Sequence, residues 1–393
     1  MTRFRALAML PAAALFAGAV ALPANAGTLV INANTSDPDP KAAFEKIVAD
    51  FQAANPDVTV EFNVFDHESY KTVVRNWLTS EAPDVIYWFA GERMKTFVDR
   101  GLLEDVSAVW TDNGLDRAMA SSMSALTVDG KQYGVPYSYY QWGVYYRTDL
   151  FEQNGVAVPK TFDELVGACG ALRGAGIAPV TIGTKYLWTA AGWFDYLNLR
   201  TNGLDFHLAL AAGEVPYNDE RVQKTFDHWA RLIEAGCFID DHAAYSWQEA
   251  QPFLYQGKAA MYLIGNFITP QFPEDVEAKM GFFQFPVIDP SVPMYEDAPI
   301  DTLHIPARAS NKEDAQRFLA FVSQPEVQRE LNVRINQLPP HSGAGVGDNR
   351  FLQAGYDMLN EAAGIAQFYD RDTNPEMARA GMEGFQEFMV NPD

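Results

Sequence analysis

The chain of 393 residues lacks the short motifs that mark the common enzyme classes. It has no Gly-x-Ser-x-Gly turn, no phosphate-binding glycine loop, and no Gly-x-Gly-x-x-Gly between a strand and a helix. Its six histidines form no HExxH pair. Residues 370–374 imitate the start of a calcium loop, but Pro375 stands where that loop needs glycine. The sequence therefore predicts no enzyme, no cofactor and no metal site.

Cysteine is almost absent, with only Cys169 and Cys237 in the whole chain. Neither belongs to a CxxC motif, so thiol chemistry is not expected. Both fall near the ends of predicted helices. A disulfide between them and two isolated buried thiols both remain open.

Basic residues are scarce, with 29 Lys plus Arg against 51 Asp plus Glu and a formal net charge of −22. A surface of this sign repels nucleic acid and anionic lipid, so neither is expected as a partner. The acidic residues are scattered along the chain, which indicates a solvated shell rather than a disordered tail.

Long apolar runs are absent except for residues 6–22. Arg3 and Arg5 precede this run, and Ala24, Asn25 and Ala26 form a small-residue cleavage site behind it. These features predict a signal peptide over 1–26 and a mature protein in the periplasm. A membrane anchor is the alternative, but the run is short and no basic stop-transfer segment follows.

Strands and helices alternate over the next hundred residues. Thr28–Ala33, 58–64 and 84–89 have the apolar or alternating patterns of strands. A segment with helical apolar spacing follows each of them. This order predicts an α/β fold with a mostly parallel sheet covered by helices.

Ligands of such sheets lie beyond the carboxyl ends of the strands. Three polar or aromatic loops occupy those positions, at 34–37, 65–67 and 88–93. We expect them to face a neutral hydroxylated ligand. The candidate binding residues in these loops are Ser36, Asp37, Asp66, His67, Trp88 and Arg93.

Aromatic residues are abundant just beyond this region. Seven of them fall between 133 and 146, next to a glycine- and proline-containing turn. Such a density favours contact with a flat, partly polar ligand. The following middle region is mostly helical, and 245–255 is predicted as one helix.

Five stretches of the chain carry a family resemblance: 82–85 with 101–106, 130–165, 253–265, 305–321 and the tail helix 377–389. In this order they resemble the extracellular solute-binding proteins of carbohydrate ABC importers, the group that includes maltose-binding protein. The resemblance implies two α/β lobes joined by a hinge, with a sugar in the cleft between them. It implies no chemistry on the ligand.

The resemblance also implies discontinuous lobes. The first is expected over 27–136 plus about 287–335, and the second over 137–286 plus about 336–393. The expected partners are a small carbohydrate and the membrane permease subunits of an importer. The protein is expected to act as a monomer.

Sugars are held by aromatic faces and by planar polar side chains. Residues of these types in the second lobe, and in the segments where the chain passes between the lobes, are therefore further candidates. For the tryptophans among them, core packing is the alternative, and for His304 it is a structural role. Arg371 is left open between an anionic ligand group and an ion pair with Asp370 or Asp372. The further candidates are Tyr139, Tyr140, Trp142, Trp188, Trp193, Trp247, Asn266, Asp301, His304 and Tyr369.

The identity of the sugar stays open at this stage. A polyol, glycoside or sugar derivative in the same import role is the first alternative. A secreted glycan-processing enzyme using a carboxylate pair is the second. A signalling adaptor without transport is the third.

Overall fold

A computed structural model describes residues 27–392 of the chain. The predicted signal peptide, 1–26, lies outside the described residues. Within the described part, every helix is too short or too polar to cross a bilayer.

The described residues form thirteen strands and eighteen α-helices. The strands are β1 (Thr28–Ala33), β2 (Thr59–Val64), β3 (Val85–Phe89), β4 (Thr127–Val128), β5 (Lys131–Gln132), β6 (Val135–Tyr139), β7 (Trp142–Arg147), β8 (Ala178–Val180), β9 (Ala259–Gly265), β10 (Met280–Phe283), β11 (Tyr295–Asp297), β12 (Ile300–His304) and β13 (Gly364–Ala366). The helices are α1 (Pro38–Ala54), α2 (His67–Thr79), α3 (Glu92–Val98), α4 (Ser107–Asp112), α5 (Leu115–Ala118), α6 (Ala120–Met123), α7 (Thr148–Gln153), α8 (Phe162–Gly174), α9 (Trp188–Asn202), α10 (Leu204–Ala211), α11 (Glu220–Glu234), α12 (Gln251–Tyr255), α13 (Glu274–Glu277), α14 (Lys312–Val322), α15 (Pro325–Ile335), α16 (Arg350–Glu361), α17 (Tyr369–Asp372) and α18 (Pro375–Val390).

The first sheet has five strands in the order β2-β1-β3-β12-β6. β1 runs parallel to β2 and β3, while β12 runs antiparallel to β3 and β6. All five residues of β3 are buried, as expected for a central strand covered on both faces. The predicted parallel order of β1, β2 and β3 is therefore confirmed.

The second sheet has four strands in the order β10-β7-β9-β8. Helix α9 packs beside it and is buried along twelve of its fifteen residues. Cys169 on α8 and Cys237 just beyond α11 form a disulfide, with 5.0 Å between their Cα atoms. Of the two possibilities that the sequence left open, the structure has the disulfide.

Two separate apolar cores correspond to the two sheets. One joins residues 29–137 with 300–335, and the other joins 140–285 with 351–389. The chain was expected to return to the first lobe near Pro286. However, Val287 pairs with Thr161, and β11 pairs with β13, so the chain stays with the second lobe as far as Asp297. We propose lobes of 27–139 plus 299–336 and of 140–298 plus 337–392.

Candidate ligand-binding cleft

A cavity of about 150 Å³ lies between the lobes, at the carboxyl ends of β1, β2 and β3. Loops of the first lobe form one side and aromatic residues of the second lobe form the other. All three loops expected from the sequence contribute. The main lining residues are Asn34, Thr35, Asp37, His67, Lys71, Phe89 and Arg93 from the first lobe, and Tyr140, Trp142, Trp188, Trp247, Gln248, Phe267, Phe368, Asp370 and Arg371 from the second.

Five aromatic side chains of the second lobe build one continuous wall. Trp142 stacks on Phe368 with 4.6 Å between ring centroids, and Trp188 meets Trp142 edge-on at 6.0 Å. Trp247 packs on Phe267 at 5.1 Å. The buried Nε1 of Trp142 has no hydrogen-bond partner among residues 27–392. This wall offers apolar faces together with one free N–H donor.

Gly192 on α9 makes room for Trp142. A Cβ atom at this glycine would lie 2.6 Å from the Trp142 ring, closer than side chains can approach. The glycine therefore allows the indole to lie flat against the helix. A larger residue at this position would displace Trp142 from the aromatic wall.

Arg371 connects the cavity wall to Ile300 and Asp301, close to the point where the chain passes from the second lobe back to the first. Its Nη2 donates to the Tyr140 hydroxyl at 2.9 Å, and its Nη1 donates to the Ile300 carbonyl at 3.1 Å. The same Nη1 lies 3.0 Å from the Asp301 carboxylate. Burial raises the pKa of Asp301, and the nearby Arg371 opposes that rise. The Arg371 guanidinium also covers the Phe89 ring at 4.3 Å.

Two further cations lie along the cavity, and each forms an ion pair with a different carboxylate. Arg93 pairs with Asp370 at 2.6 Å and donates from Nε to the Asp370 carbonyl at 3.1 Å. Lys71 pairs with Glu68 at 2.7 Å. Burial lowers the pKa of both Arg93 and Lys71. The ion pair of Asp370 is therefore with Arg93, whereas Arg371 pairs with Asp301.

His67 is the first residue of α2 and faces the cavity beside Asn34, whose amide nitrogen lies 3.5 Å from His67 Nδ1. Burial lowers the pKa of His67 well below its ordinary value, and the nearby cations lower it further. The ring is therefore neutral at physiological pH and presents one donor and one acceptor.

Asp37 precedes α1 in the capping position but makes no side-chain cap. The third residue of that helix is Pro40, which has no N–H to donate. The carboxylate instead lines the cavity, together with Gln248 of the second lobe. Burial raises the pKa of Asp37, and the nearby amide of Gln248 partly offsets that rise.

The two lobes are closed on one another. Trp188 of the second lobe donates from Nε1 to Glu68 of the first at 3.2 Å. A Cβ atom on Gly91, whose φ is 75°, would lie 2.5 Å from the Arg371 carbonyl oxygen. Leu187, just before Trp188, has a φ of 70°, which a residue other than glycine seldom adopts. Such outliers persist where the surrounding structure holds them, as it does at this seam.

A second cavity of about 230 Å³ adjoins the first and shares His67, Trp247 and Gln248 with it. It opens to the surface, because several of its lining residues are exposed. Those exposed residues are Asp66, Lys185, Tyr186 and Glu249.

Comparison with known proteins decides the family, since residues 34–329 match the bacterial extracellular solute-binding proteins. The chain belongs to this family. The solute-binding protein is therefore a member of a family of binding proteins rather than of enzymes, and its two-lobed fold is that of the family.

Three similar proteins illustrate the match. The solved structure of AcbH, described as a bacterial solute receptor with an exclusive substrate preference for β-D-galactopyranose, superposes with a TM-score of 0.89 at 29% identity, covering 94% of this chain and 95% of that one. A chitin oligosaccharide binding protein superposes with a TM-score of 0.86 at 22% identity, covering 93% and 95%. An uncharacterized ABC transporter extracellular-binding protein of Pyrococcus horikoshii is 24% identical over 312 residues, covering 77% of this chain and 69% of that protein.

Half of the candidate residues of the solute-binding protein line the first cavity, and they come from seven separate segments of the chain. The structure brings them together across the closed seam. They are Asp37, His67, Arg93, Tyr140, Trp142, Trp188, Trp247 and Asp301.

Trp247 reaches the cavity from a turn rather than from the predicted helix over 245–255. Ser246 and Glu249 bond reciprocally, with the Ser246 N–H donating to the Glu249 carboxylate at 2.7 Å. Residues 247–250 form a turn, and α12 begins at Gln251.

Four candidates lie outside the cavity because the neighbouring residue takes the cavity-facing position. Trp88 is buried against Phe97 and donates from Nε1 to the Arg93 carbonyl, while Phe89 lines the cavity. Tyr139 packs with a small apolar cluster around Leu338, while Tyr140 lines the cavity. Ser36 is exposed, and Asp66 caps α2 and lines the adjoining cavity.

The remaining four candidates are buried in the lobes, and the structure corrects their expected position. Trp193 packs on Phe238 and Phe285. Asn266 accepts from the Tyr145 hydroxyl at 2.6 Å. The other two have structural hydrogen bonds of their own: His304 with Thr302 and the Tyr133 carbonyl, and Tyr369 with the Tyr217 hydroxyl.

Several lining residues were not among the candidates. Phe368 and Asp370 flank Tyr369, so an aromatic and acidic cluster before the tail helix was the available signal. Phe267 follows Asn266 in the turn after β9. Nothing in the sequence pattern marks Lys71, Gln248, Gln271 or Gln337 as cavity residues.

Proposed function

We propose that this solute-binding protein is the periplasmic receptor of an ABC importer and captures a sugar of monosaccharide size. The observation that carries the proposal is the closed interlobe cavity, in which an aromatic wall faces loops rich in polar groups. The protein acts as a monomer and delivers its ligand to membrane permease subunits.

The volume of the cavity supports one sugar ring. A water molecule needs roughly 10–15 Å³ by the same measure, so about 150 Å³ holds roughly a dozen non-hydrogen atoms. A hexose has that size. A longer oligosaccharide would need the adjoining cavity or an open cleft.

The chemistry of the lining also suits a sugar. The faces of Trp142, Trp188 and Trp247 pack against C–H surfaces, and the Trp142 N–H is a donor without a partner among residues 27–392. Asn34 and Gln248 supply planar amides that both donate and accept, as hydroxyl groups require. The neutral ring of His67 likewise has one hydrogen-bond donor and one acceptor.

The similar proteins support this ligand class. AcbH is described as a receptor for β-D-galactopyranose, and a relative from Streptococcus mutans, 22% identical over 294 residues, is named a multiple sugar-binding protein. A sugar contacts both lobes only when they are closed, so binding shifts the equilibrium toward the closed form. The permease then recognises that form.

A calorimetric and thermal-shift screen tests the proposal. The panel holds monosaccharides, disaccharides, oligosaccharides, polyols, amino acids and short peptides. We expect at least one monosaccharide to bind and to raise the midpoint of unfolding as its concentration exceeds its Kd. Binding of an amino acid or peptide alone contradicts the proposal, and binding of a polyol alone would change the ligand class.

A pair of variants locates the binding. Trp247→Ala removes one face of the aromatic wall and should weaken the sugar at least about tenfold, the equivalent of 1.4 kcal/mol. The control is Tyr356→Ala, an exposed aromatic residue on α16 outside the cavity. It should leave the Kd unchanged. Equal affinity in both variants would show that the sugar binds elsewhere.

A further inference from the structure

The charges along the cavity wall balance in pairs. Its three cations are Lys71, Arg93 and Arg371. Their carboxylate partners are Glu68 at 2.7 Å, Asp370 at 2.6 Å and Asp301 at 3.0 Å. None of the three cations is therefore left over to meet an anionic group on a ligand.

Asp37 is the carboxylate that remains. It takes part in no ion pair within the part of the chain that the structure describes, and the neutral amide of Gln248 shares the cavity wall with it. The charged group that acts on it is Asp66, which raises the pKa of Asp37 further. The cavity thus has one unmatched negative charge beside an aromatic wall.

The residues that line the adjoining cavity also carry net negative charge. Lys185 lies 3.7 Å from Glu249, and Glu68 is already paired with Lys71. Asp66 accepts bonds from the backbone N–H and the hydroxyl of Ser69 and forms no ion pair among residues 27–392, although Lys71 is near enough to help lower its pKa. A ligand that enters through this opening therefore passes a second carboxylate that forms no ion pair.

The protein as a whole carries a formal charge of −22, which lowers the local concentration of anions still further. The cavity, its opening and the whole surface therefore all disfavour an anionic ligand. The cavity, its opening and the protein as a whole each carry negative charge that is not balanced by cations.

We infer that Asp37 makes the cavity selective for charge, so that it accepts neutral sugars, favours sugars with a basic amino group, and excludes sugar acids and sugar phosphates. The inference rests on the proposed function and narrows its substrate class. An ammonium group forms a charge-assisted hydrogen bond with Asp37. A carboxylate or phosphate group is buried without a counter-ion, which is strongly unfavourable.

The test compares three charge forms of the same sugar ring by calorimetry at pH 7. For each of the gluco, galacto and manno rings, the forms are the parent sugar, the 2-amino or 6-amino sugar, and the uronic acid. For the ring that binds, we expect the uronic acid to bind at least about 100-fold more weakly than the parent. One of the amino sugars should bind as tightly as the parent or more tightly.

Asp37→Asn is the decisive variant, because it removes the charge and keeps the shape. It should lower the affinity for the amino sugar relative to the parent by about tenfold and should improve the binding of the uronic acid. Asp112→Asn, an exposed change at the end of α4, is the matched control and should alter neither ratio.

Two results overturn the inference: a uronic acid that binds wild-type protein as tightly as the parent, or an amino-to-parent ratio that Asp37→Asn leaves unchanged. In either case the parent sugar still binds, so the proposed function stands. If no ring binds in any charge form, the proposed function itself is wrong, and the charge selectivity falls with it.

Discussion

Trp188 and Glu68 face each other across the seam between the lobes, with 3.2 Å between the indole nitrogen and the carboxylate. Lys71 lies 2.7 Å from the other oxygen of the same carboxylate. The aromatic wall of one lobe is therefore tied to the polar loops of the other through a single charge-assisted bond. Closing the cleft therefore brings the polar loops of the first lobe against an aromatic wall that lies wholly in the second.

We predict that Trp188→Phe weakens ligand binding roughly fivefold, because it keeps an aromatic face but removes a hydrogen bond of about 1 kcal/mol to a half-buried carboxylate. Most of the change should appear in the dissociation rate, since the bond forms only after closure. Surface plasmon resonance measures both rates. Trp77→Phe, in the first lobe and away from the seam, is the control, and an equal effect in both variants would contradict the role of the bond.

Arg371→Met should lower the free energy of unfolding by about 3–5 kcal/mol, because it leaves the buried Asp301 carboxylate and the Ile300 carbonyl without their partner. Urea denaturation followed by circular dichroism measures this. Arg379→Met, at an exposed i,i+4 pair with Glu383, should change it by no more than about 0.5 kcal/mol. A small effect at Arg371 would mean that water replaces its contacts.

Replacing both cysteines with alanine should cost about 2–4 kcal/mol of stability, because the bond between Cys169 and Cys237 closes a loop across 68 positions of sequence. Dithiothreitol should lower the melting temperature of the wild-type protein toward that of the double variant. It should leave the double variant itself unchanged. A wild-type melting temperature insensitive to full reduction would refute the prediction.

The stability of the protein should depend on pH through Asp372. Burial, with Glu92 nearby, raises the pKa of Asp372 to about 7, above its ordinary value of about 4 in an unfolded chain. The native state therefore holds this proton more tightly than the unfolded state. Its contribution to stability is complete below about pH 4 and is lost as the pH rises through 7.

Asp372→Asn isolates this effect, because the amide keeps an acceptor for the Gln367 N–H and has no proton to lose. The variant should gain stability relative to wild type, by a few kcal/mol, between pH 4 and pH 8. Urea denaturation at several pH values measures the difference, with Asp112→Asn as the control. A difference that stays constant with pH would contradict the assignment.

The sequence predicted the order of elements in the first lobe and the three loops that reach the cleft. It did not predict which of two adjacent residues faces the cavity. Trp88 and Phe89 are both large, aromatic and buried, and a shift of one residue along a strand exchanges the two faces. The same ambiguity separates Tyr139 from Tyr140.

Buried polar residues were the second reason why the sequence did not predict all the cavity residues correctly. His304 and Asn266 have the chemistry of sugar contacts, yet each satisfies a buried backbone or side-chain group inside the protein. A polar residue that must be buried needs a partner in either case. Only the three-dimensional arrangement shows whether that partner is the ligand or the protein itself.

The position of the tryptophans has a practical consequence for the detection of the ligand. Trp142, Trp188 and Trp247 line the cavity, whereas Trp110, Trp193 and Trp229 are enclosed in the lobe cores. A bound molecule changes the polarity around the three cavity tryptophans. The emission of the three core tryptophans stays constant. Indole emission responds to that polarity, so the protein contains an optical reporter of its own occupancy and needs no attached dye.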